Sequence, residues 1–207
     1  MVIGISGKMG HGKDTIGRMI QYWWARNNND IPEKVTVEEF VQENSFQLIS
    51  EFEIKKFAEG VKFVAGYILN VHPIKFEDPQ YKLTQLGPEW NRNGEPMTVR
   101  MFLQELATDA MRNNLHEDVW VNTLTNKYTE NSKWIITDFR FPNELKWLKS
   151  QNSKIIRIHN PNIIIKKPEH VSETLFDDYK DFDFFVTNPG TYQGLYKEVE
   201  KICKEIF

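Results

Sequence analysis

The chain has 207 residues, enough for one domain with a sizeable core, and its hydrophobic (40%) and charged (27%) fractions are ordinary for a globular protein. The net charge of −3 argues against wide, sequence-independent binding of polymeric nucleic acid but not against a local basic cleft. The single cysteine, Cys203, excludes an internal disulfide, and no apolar stretch approaches the length of a membrane span. We therefore expect a cytosolic protein that does not bind membranes.

The first predicted elements are a strand over residues 2–6 and a helix over 13–26, with a glycine-rich stretch between them. The letters GKMGHGKDT at 7–15 fit the pattern G-x-x-x-x-G-K of a loop that binds nucleotide phosphates. In such a loop the backbone N–H groups form an anion-binding nest, and the following helix adds the positive end of its dipole. The segment therefore predicts a nucleotide-binding protein.

The loop supplies the first candidate site residues. Lys13 is placed to reach the β- and γ-phosphates of a bound nucleotide. The pattern has Ser or Thr directly after the lysine, but here Asp14 stands there and Thr15 follows. Asp14 is a candidate Mg²⁺ ligand through water, and Thr15 a candidate phosphate contact. The predicted phosphate-binding set is Gly10, His11, Gly12, Lys13, Asp14 and Thr15.

The middle of the chain alternates regular and irregular segments. The predicted elements are a short exposed helix over 33–43, a strand over 52–57, a helix over 58–69, a helix that begins after the N-cap Thr98 and runs to 113, and a helix over 119–128. Residues 71–97 are rich in Pro, Gly, Asn and charge, and we interpret them as an irregular insertion near the acceptor site.

The last third predicts strands over 133–138, 154–158 and 183–187, and helices over 142–150 and from about 192 to the end. Residues 159–182 are polar, and we interpret them as a lid, with Lys166, Lys167 and His170 as its charged contacts. Strands that alternate with helices predict an α/β fold, a parallel sheet with helices on both faces in three layers. We expect one domain over 1–207, with both irregular segments at the carboxyl ends of the strands, where ligands bind.

A carboxylate and several arginines follow the predicted strands. Asp138 ends a buried strand and is a candidate Mg²⁺ ligand, directly or through water, although such an Asp can also cap the next turn. Arginines suit phosphoryl transfer because their planar donors stabilise charge on the transferred group, whereas an individual arginine can equally be a surface-paired residue. Aromatic residues such as Trp120 can stack on a base, but at helical spacing they are more often part of the core.

Six segments extend this pattern along the chain in a recognisable order: GKMGHGKDT at 7–15, FAEGVK at 57–62, TVRMFLQELATDAMR at 98–112, DVW at 118–120, TDFRFPNE at 137–144 and TNPGT at 187–191. Together they resemble the phage deoxynucleoside monophosphate kinases, a branch of the P-loop kinases. The string D-x-R-F-P-N-E is specific, whereas the loop alone is not. Ala107 stands where the family pattern has glycine.

The resemblance implies transfer of the γ-phosphoryl group of ATP, with Mg²⁺, to a deoxynucleoside 5′-monophosphate for DNA precursor synthesis. It marks Lys13 for the ATP phosphates, and with Arg140 and the strand-end Asp138 this gives the residues that we expect to be catalytic. The phosphate or acceptor contacts that it implies are Lys62, Arg100, Arg112 and Arg140, to which we add Trp120 as a candidate acceptor contact. The expected contacts to the ATP base come from the backbone around Asn188, Gly190 and Thr191. A homodimer is the assembly that the resemblance suggests.

Two alternatives remain at this point. One is a P-loop kinase that acts on another small phosphorylated metabolite, such as dephospho-coenzyme A, because the same loop would serve it. The other is a nucleotide-dependent switch. A GTPase-like switch needs Asp-x-x-Gly after the metal-binding strand and Asn-Lys-x-Asp for guanine, but Asp138 is followed by FRF and Asn126-Lys127 by YT. The switch is therefore disfavoured.

Overall fold

The computed structural model describes residues 1–163 and 174–207. The predicted lid contacts Lys166, Lys167 and His170 lie outside the described residues. The chain divides into two compact units, one formed by Met1–Lys56 with Thr129–Phe207 and the other by Phe57–Tyr128. Among the described residues, no helix combines the length and the apolar character needed to cross a membrane.

The first unit is built on a five-stranded parallel sheet. Its strands are β1 (Val2–Ser6), β2 (Glu53–Lys55), β3 (Trp134–Ile136), β4 (Lys154–His159) and β5 (Phe184–Thr187). They lie in the order β2-β3-β1-β4-β5, and every pairing is parallel. All the predicted strands are confirmed, although β2 and β3 are shorter than the predicted ranges of 52–57 and 133–138.

Helices cover both faces of this sheet. The helices of the first unit are α1 (Lys13–Asn27), α2 (Val37–Gln42), α6 (Pro142–Ser150) and α7 (Tyr192–Ile206). Ile3 and Ile5 of β1 pack in one buried cluster with α1 and α7. On the opposite face, a Cβ at Gly4 would meet Leu148 of α6 at 2.9 Å. The predicted three-layer α/β fold is confirmed for this unit.

The helix α2 corrects one expectation. Residues 33–43 were predicted to form an exposed helix, but the helix covers only Val37–Gln42, and both Val37 and Phe40 are buried. Phe40 packs edge-to-face on Tyr22 of α1, and the Arg18 guanidinium lies 4.8 Å from its ring centroid. These tertiary contacts bury the apolar side chains of a segment whose many charged residues had suggested an exposed helix.

The second unit is helical and has its own small core. It contains α3 (Ala58–Leu69), α4 (Val99–Gln104) and α5 (Val119–Thr125), with three short 3-10 turns within residues 71–97. The Thr98 hydroxyl accepts a hydrogen bond from the Met101 N–H, which confirms the predicted N-cap. The helix does not stay α-helical to residue 113, because Glu105–Asn113 forms a π-helical segment.

Candidate phosphate-binding site

The loop after β1 contains two glycines with positive φ values. Gly10 and Gly12 have φ values of 80° and 103°, a region that side chains rarely adopt. Gly12 is the N-cap of α1, and its carbonyl accepts the first helical hydrogen bond, from the Ile16 N–H. The glycines predicted to shape the loop therefore lie where the chain must turn into the helix, so that the N-terminal N–H groups of α1 border the loop.

Lys13 is nearly buried against the loop itself. Its side-chain ammonium donates hydrogen bonds to the carbonyls of Gly7 (2.7 Å) and Lys8 (2.9 Å). Lys13 is only 9% exposed. The two hydrogen bonds to backbone oxygens hold its charge at the loop. This arrangement fits a cation that is positioned to bind a phosphate group.

The loop also lies close against β4. A Cβ added at Gly7 would meet Ile158 Cγ2 at 2.6 Å and the Ile158 carbonyl oxygen at 2.8 Å. β1 and β4 are neighbours in the sheet, but the chain leaves β1 toward β3 and β2 and leaves β4 toward β5. The ends of β1 and β4 therefore form a switch point, the position at which ligands bind in open parallel sheets.

A cleft of about 370 Å³ opens at this switch point. It is lined by Lys8, His11, Arg157, Ile158, His159, Ile163 and Asp177. The Asp177 carboxylate accepts hydrogen bonds from Lys8 (2.7 Å) and Arg157 (3.3 Å), and Arg157 also donates to the Ser6 hydroxyl. Lys8 of the loop and Arg157 of β4 thus both contact the Asp177 carboxylate at this cleft.

His11 is a buried part of the loop. It is 3% exposed, its Nδ1 accepts a hydrogen bond from the Asn160 N–H (3.3 Å), and its ring packs edge-to-face on His159. Its Nε2 has no hydrogen-bond partner among the described residues. Burial lowers the pKa of His11, and His159, Lys13 and Arg157 add to this effect, whereas the Ile158 carbonyl opposes it.

We expect acid to destabilise the protein through His11. The pKa of His11 in the folded state lies below the ordinary value of 6.5. As the pH falls through 6.5, His11 is therefore protonated more in the unfolded chain than in the folded chain. The free energy of unfolding should therefore fall more between pH 7.5 and pH 5.5 in the wild type than in His11→Gln. Urea unfolding at both pH values measures the difference, and an equal fall in the two proteins would contradict the assignment.

Asp14 lies at the start of α1 with two partners from neighbouring strands. Its carboxylate accepts hydrogen bonds from the Thr137 hydroxyl after β3 and from the Lys56 ammonium after β2 (3.0 Å). Desolvation acts to raise the pKa of Asp14, but Lys56, the Thr137 hydroxyl and Lys13 outweigh it, and the pKa lies below its usual value. The carboxylate is thus ionised at neutral pH, as a Mg²⁺ ligand must be.

The residues after β3 turn sharply into α6. The buried carboxylate of Glu144 accepts hydrogen bonds from the N–H groups of Arg140 (2.7 Å) and Phe141 (3.1 Å). This is one half of a capping box, and it fixes the backbone that carries Arg140. Asp138 and Arg140 are both partly buried at this edge of the sheet, and Phe139 between them belongs to the core.

Asn188 and Gly190 lie in the turn between β5 and α7. The Asn188 side-chain amide donates to the His11 carbonyl (3.0 Å), and its oxygen accepts from the Gly190 N–H (2.9 Å). Gly190 has a φ of 92°, and the Thr191 hydroxyl accepts from the Gly194 N–H as the N-cap of α7. The segment expected to contact the ATP base is therefore hydrogen-bonded to the phosphate loop.

Four of the five predicted acceptor contacts lie in the second unit, whereas Arg140 belongs to the first. Lys62 forms an ion pair with Glu77, Arg112 donates to the Glu117 carbonyl (3.2 Å), and Arg100 is partly buried on α4. Trp120 is 2% exposed, and its indole N–H donates to the Ala107 carbonyl (2.9 Å) in the π-helical segment. Trp120 thus packs as a buried residue here, and the acceptor role of all four remains a prediction.

Sequence reasoning missed several residues that contact the predicted site. Lys56 lies outside the quoted segments, and Thr137 lies within TDFRFPNE, but no local pattern indicated that either residue contacts Asp14. Glu144 had a signal, since a Glu two residues after Pro142 is the N3 position of a helix start. Among the described residues, no group of three or more His, Cys, Asp or Glu side chains is arranged to hold a metal ion.

The parallel sheet and the phosphate loop at its switch point define the class, an α/β protein with a P-loop kinase fold. A family model described as deoxynucleotide monophosphate kinase matches residues 38–199. This is more than half of the chain, and the chain belongs to the deoxynucleotide monophosphate kinase family. None of the curated proteins compared with the chain matches it. The phosphate loop precedes the matched residues, so its assignment depends on its own sequence and geometry.

Proposed function

We propose that this kinase transfers the γ-phosphoryl group of ATP to a deoxynucleoside 5′-monophosphate and releases ADP and the deoxynucleoside diphosphate. The observation that carries the proposal is the phosphate loop, with glycines at positive φ and Lys13 at its mouth, in a member of the deoxynucleotide monophosphate kinase family. Phosphoryl transfer depends mainly on positioning and charge stabilisation, and the loop supplies both for the donor phosphates.

Acid–base chemistry has a small part in this reaction. The acceptor is a phosphate group that is already an anion, so its oxygen needs no strong base to attack the γ-phosphorus. The protein must instead place the two phosphates in line and exclude water. We propose that Lys13 binds the donor phosphates, that Arg140 stabilises charge on the transferred group, and that Lys62, Arg100 and Arg112 bind the acceptor.

The residues present also suit a magnesium ion. Mg²⁺ prefers oxygen ligands, keeps several waters and is often bound through one or two carboxylates with substrate phosphates. Asp14, ionised and oriented by Thr137, fits this role, and Asp138 is the second candidate. When bound, the ion would neutralise charge on the donor phosphates. The expectation of a homodimer rests on the resemblance alone.

A substrate panel tests the proposal. Purified protein is incubated with ATP and Mg²⁺ and, in separate reactions, with dTMP, dGMP, dCMP, dAMP, a modified pyrimidine deoxynucleotide, the ribonucleotides and dephospho-coenzyme A. We expect ADP release that depends on at least one deoxynucleoside monophosphate and exceeds that with its ribonucleotide. The proposal would be overturned if ADP were released only with dephospho-coenzyme A, or if none of the acceptors increased ADP release above the reaction without an acceptor.

A further inference from the structure

We infer that Asn188 is a positioning residue for the phosphate loop, and that its side chain holds the backbone of residue 11 in place instead of reading the nucleotide base. The inference deepens the proposed function, on which it rests for its catalytic meaning. The expected contact with the ATP base concerned the backbone around Asn188 to Thr191, and the inference assigns a separate role to the Asn188 side chain.

Both ends of the Asn188 amide are used within the protein. The Gly190 N–H can only donate, so the atom 2.9 Å from it is the amide oxygen, and the atom 3.0 Å from the His11 carbonyl is the amide nitrogen. The hydrogen-bond network therefore fixes the orientation of the amide. A side chain with these two partners directs its nitrogen to the loop.

The other end of this connection is anchored in the sheet. The Asn188 N–H donates to the His159 carbonyl at 2.7 Å, directly beyond the pairing of His159 with Thr187. The ring of His11 is held from the same side, since its Nδ1 accepts from the Asn160 N–H. Residue 11 is thus tied through its carbonyl to the end of β5 and through its ring to the end of β4.

The position of this connection explains why it matters for phosphate binding. The His11 carbonyl belongs to the peptide bond that leads into Gly12, and Gly12 and Lys13 carry the N–H groups that begin α1. A peptide whose oxygen is held by a hydrogen bond presents its N–H in a fixed direction, so the hydrogen bond from Asn188 favours the anion-binding form of the loop. Preorganised donors bind anions more tightly because they need no reorientation.

Two ligands distinguish a positioning role from a base contact. Inorganic tripolyphosphate has the phosphates of ATP but no base. If Asn188 acts through the loop, Asn188→Ala should weaken ATP and tripolyphosphate by the same factor, about tenfold for one lost hydrogen bond. If Asn188 reads the base, only ATP should weaken. Isothermal titration calorimetry measures both affinities, and unchanged tripolyphosphate binding would overturn the inference.

A second measurement does not depend on any nucleotide. In the protein without ligand, Asn188→Ala should accelerate hydrogen–deuterium exchange of the amides in residues 8–13, because the loop loses a tie to the sheet. Thr36→Ala is the matched control, since it removes the N-cap hydrogen bond of α2 to the Glu39 N–H and destabilises the fold elsewhere. It should leave exchange in residues 8–13 unchanged after correction for global stability.

These outcomes separate the inference from the proposed function. Faster loop exchange in Asn188→Ala, in a protein that phosphorylates no deoxynucleotide, would retain the positioning role and remove the proposed reaction. Loop exchange equal to that of the wild type, in a protein active on the substrate panel, would retain the reaction and overturn the positioning role. Equal acceleration in Thr36→Ala would also overturn it, because the effect would then reflect stability alone.

Discussion

Replacing Lys13 with alanine is expected to lower the rate of phosphoryl transfer by about a thousandfold or more, the size found for charges that stabilise a transferred phosphoryl group. The ammonium is held at the mouth of the loop by the carbonyls of Gly7 and Lys8, so its position does not have to be organised when the nucleotide arrives. Its loss removes this charge together with the two hydrogen bonds to the loop carbonyls.

The measurement is steady-state release of ADP with the best acceptor from the substrate panel. Lys201→Ala is the matched control, because Lys201 lies on α7 with its side chain 67% exposed and paired with Glu198. An exposed pair of this kind contributes little to stability, so this variant should retain normal turnover. A folded Lys13→Ala protein with turnover close to that of the wild type would remove the loop from the mechanism.

Replacing Gly12 with alanine is expected to weaken ATP binding at least about tenfold and to destabilise the fold by about 1–3 kcal/mol. The φ of 103° at this position is unfavourable for any residue with a Cβ. The added methyl would also lie 2.9 Å from the amide nitrogen of Asn188, the group that holds the loop. The variant therefore strains the backbone and displaces a loop contact together.

Gly94→Ala separates these two effects. Gly94 has a φ of 82°, but a Cβ there would meet no atom of the described residues within 4 Å. It should lose stability through backbone strain and keep the ATP affinity of the wild type. Thermal unfolding and calorimetric titration of both variants test the prediction, and an equal ATP affinity for Gly12→Ala and the wild type would contradict it.

Local sequence patterns predicted most of the fold. The apolar letters of residues 2–6, the helical spacing over 58–69 and the Thr98 N-cap depend on neighbours in the chain, and the structure confirms each of them. The π-helical turns at Glu105–Asn113 were not predictable in this way. There the Ala107 carbonyl accepts from the indole of Trp120, thirteen residues later, so a tertiary contact accompanies the change in helix geometry.

In the candidate site, too, some features follow from local sequence patterns and others depend on tertiary contacts. The glycine spacing around Lys13 is a local signal, because a tight turn needs glycine at particular positions, and Gly10 and Gly12 do have positive φ values, whereas phosphate binding stays a prediction. The partners of Asp14 were not predictable, since Lys56 is 42 residues away and Thr137 is 123 residues away. They meet Asp14 because the carboxyl ends of β2 and β3 lie at the same edge of the sheet as the start of α1.

The sequence by itself determined the parallel α/β class, because strand and helix periodicity are properties of neighbouring residues, and its resemblance to the deoxynucleoside monophosphate kinases indicated the family that the chain belongs to. Only the tertiary structure decided how the phosphate loop is held. His11 is buried against His159, and Asn188 directs its amide to the His11 carbonyl, because parallel strands distant in sequence end side by side. Hydrogen bonds across such an edge depend on sheet order, which no local pattern encodes.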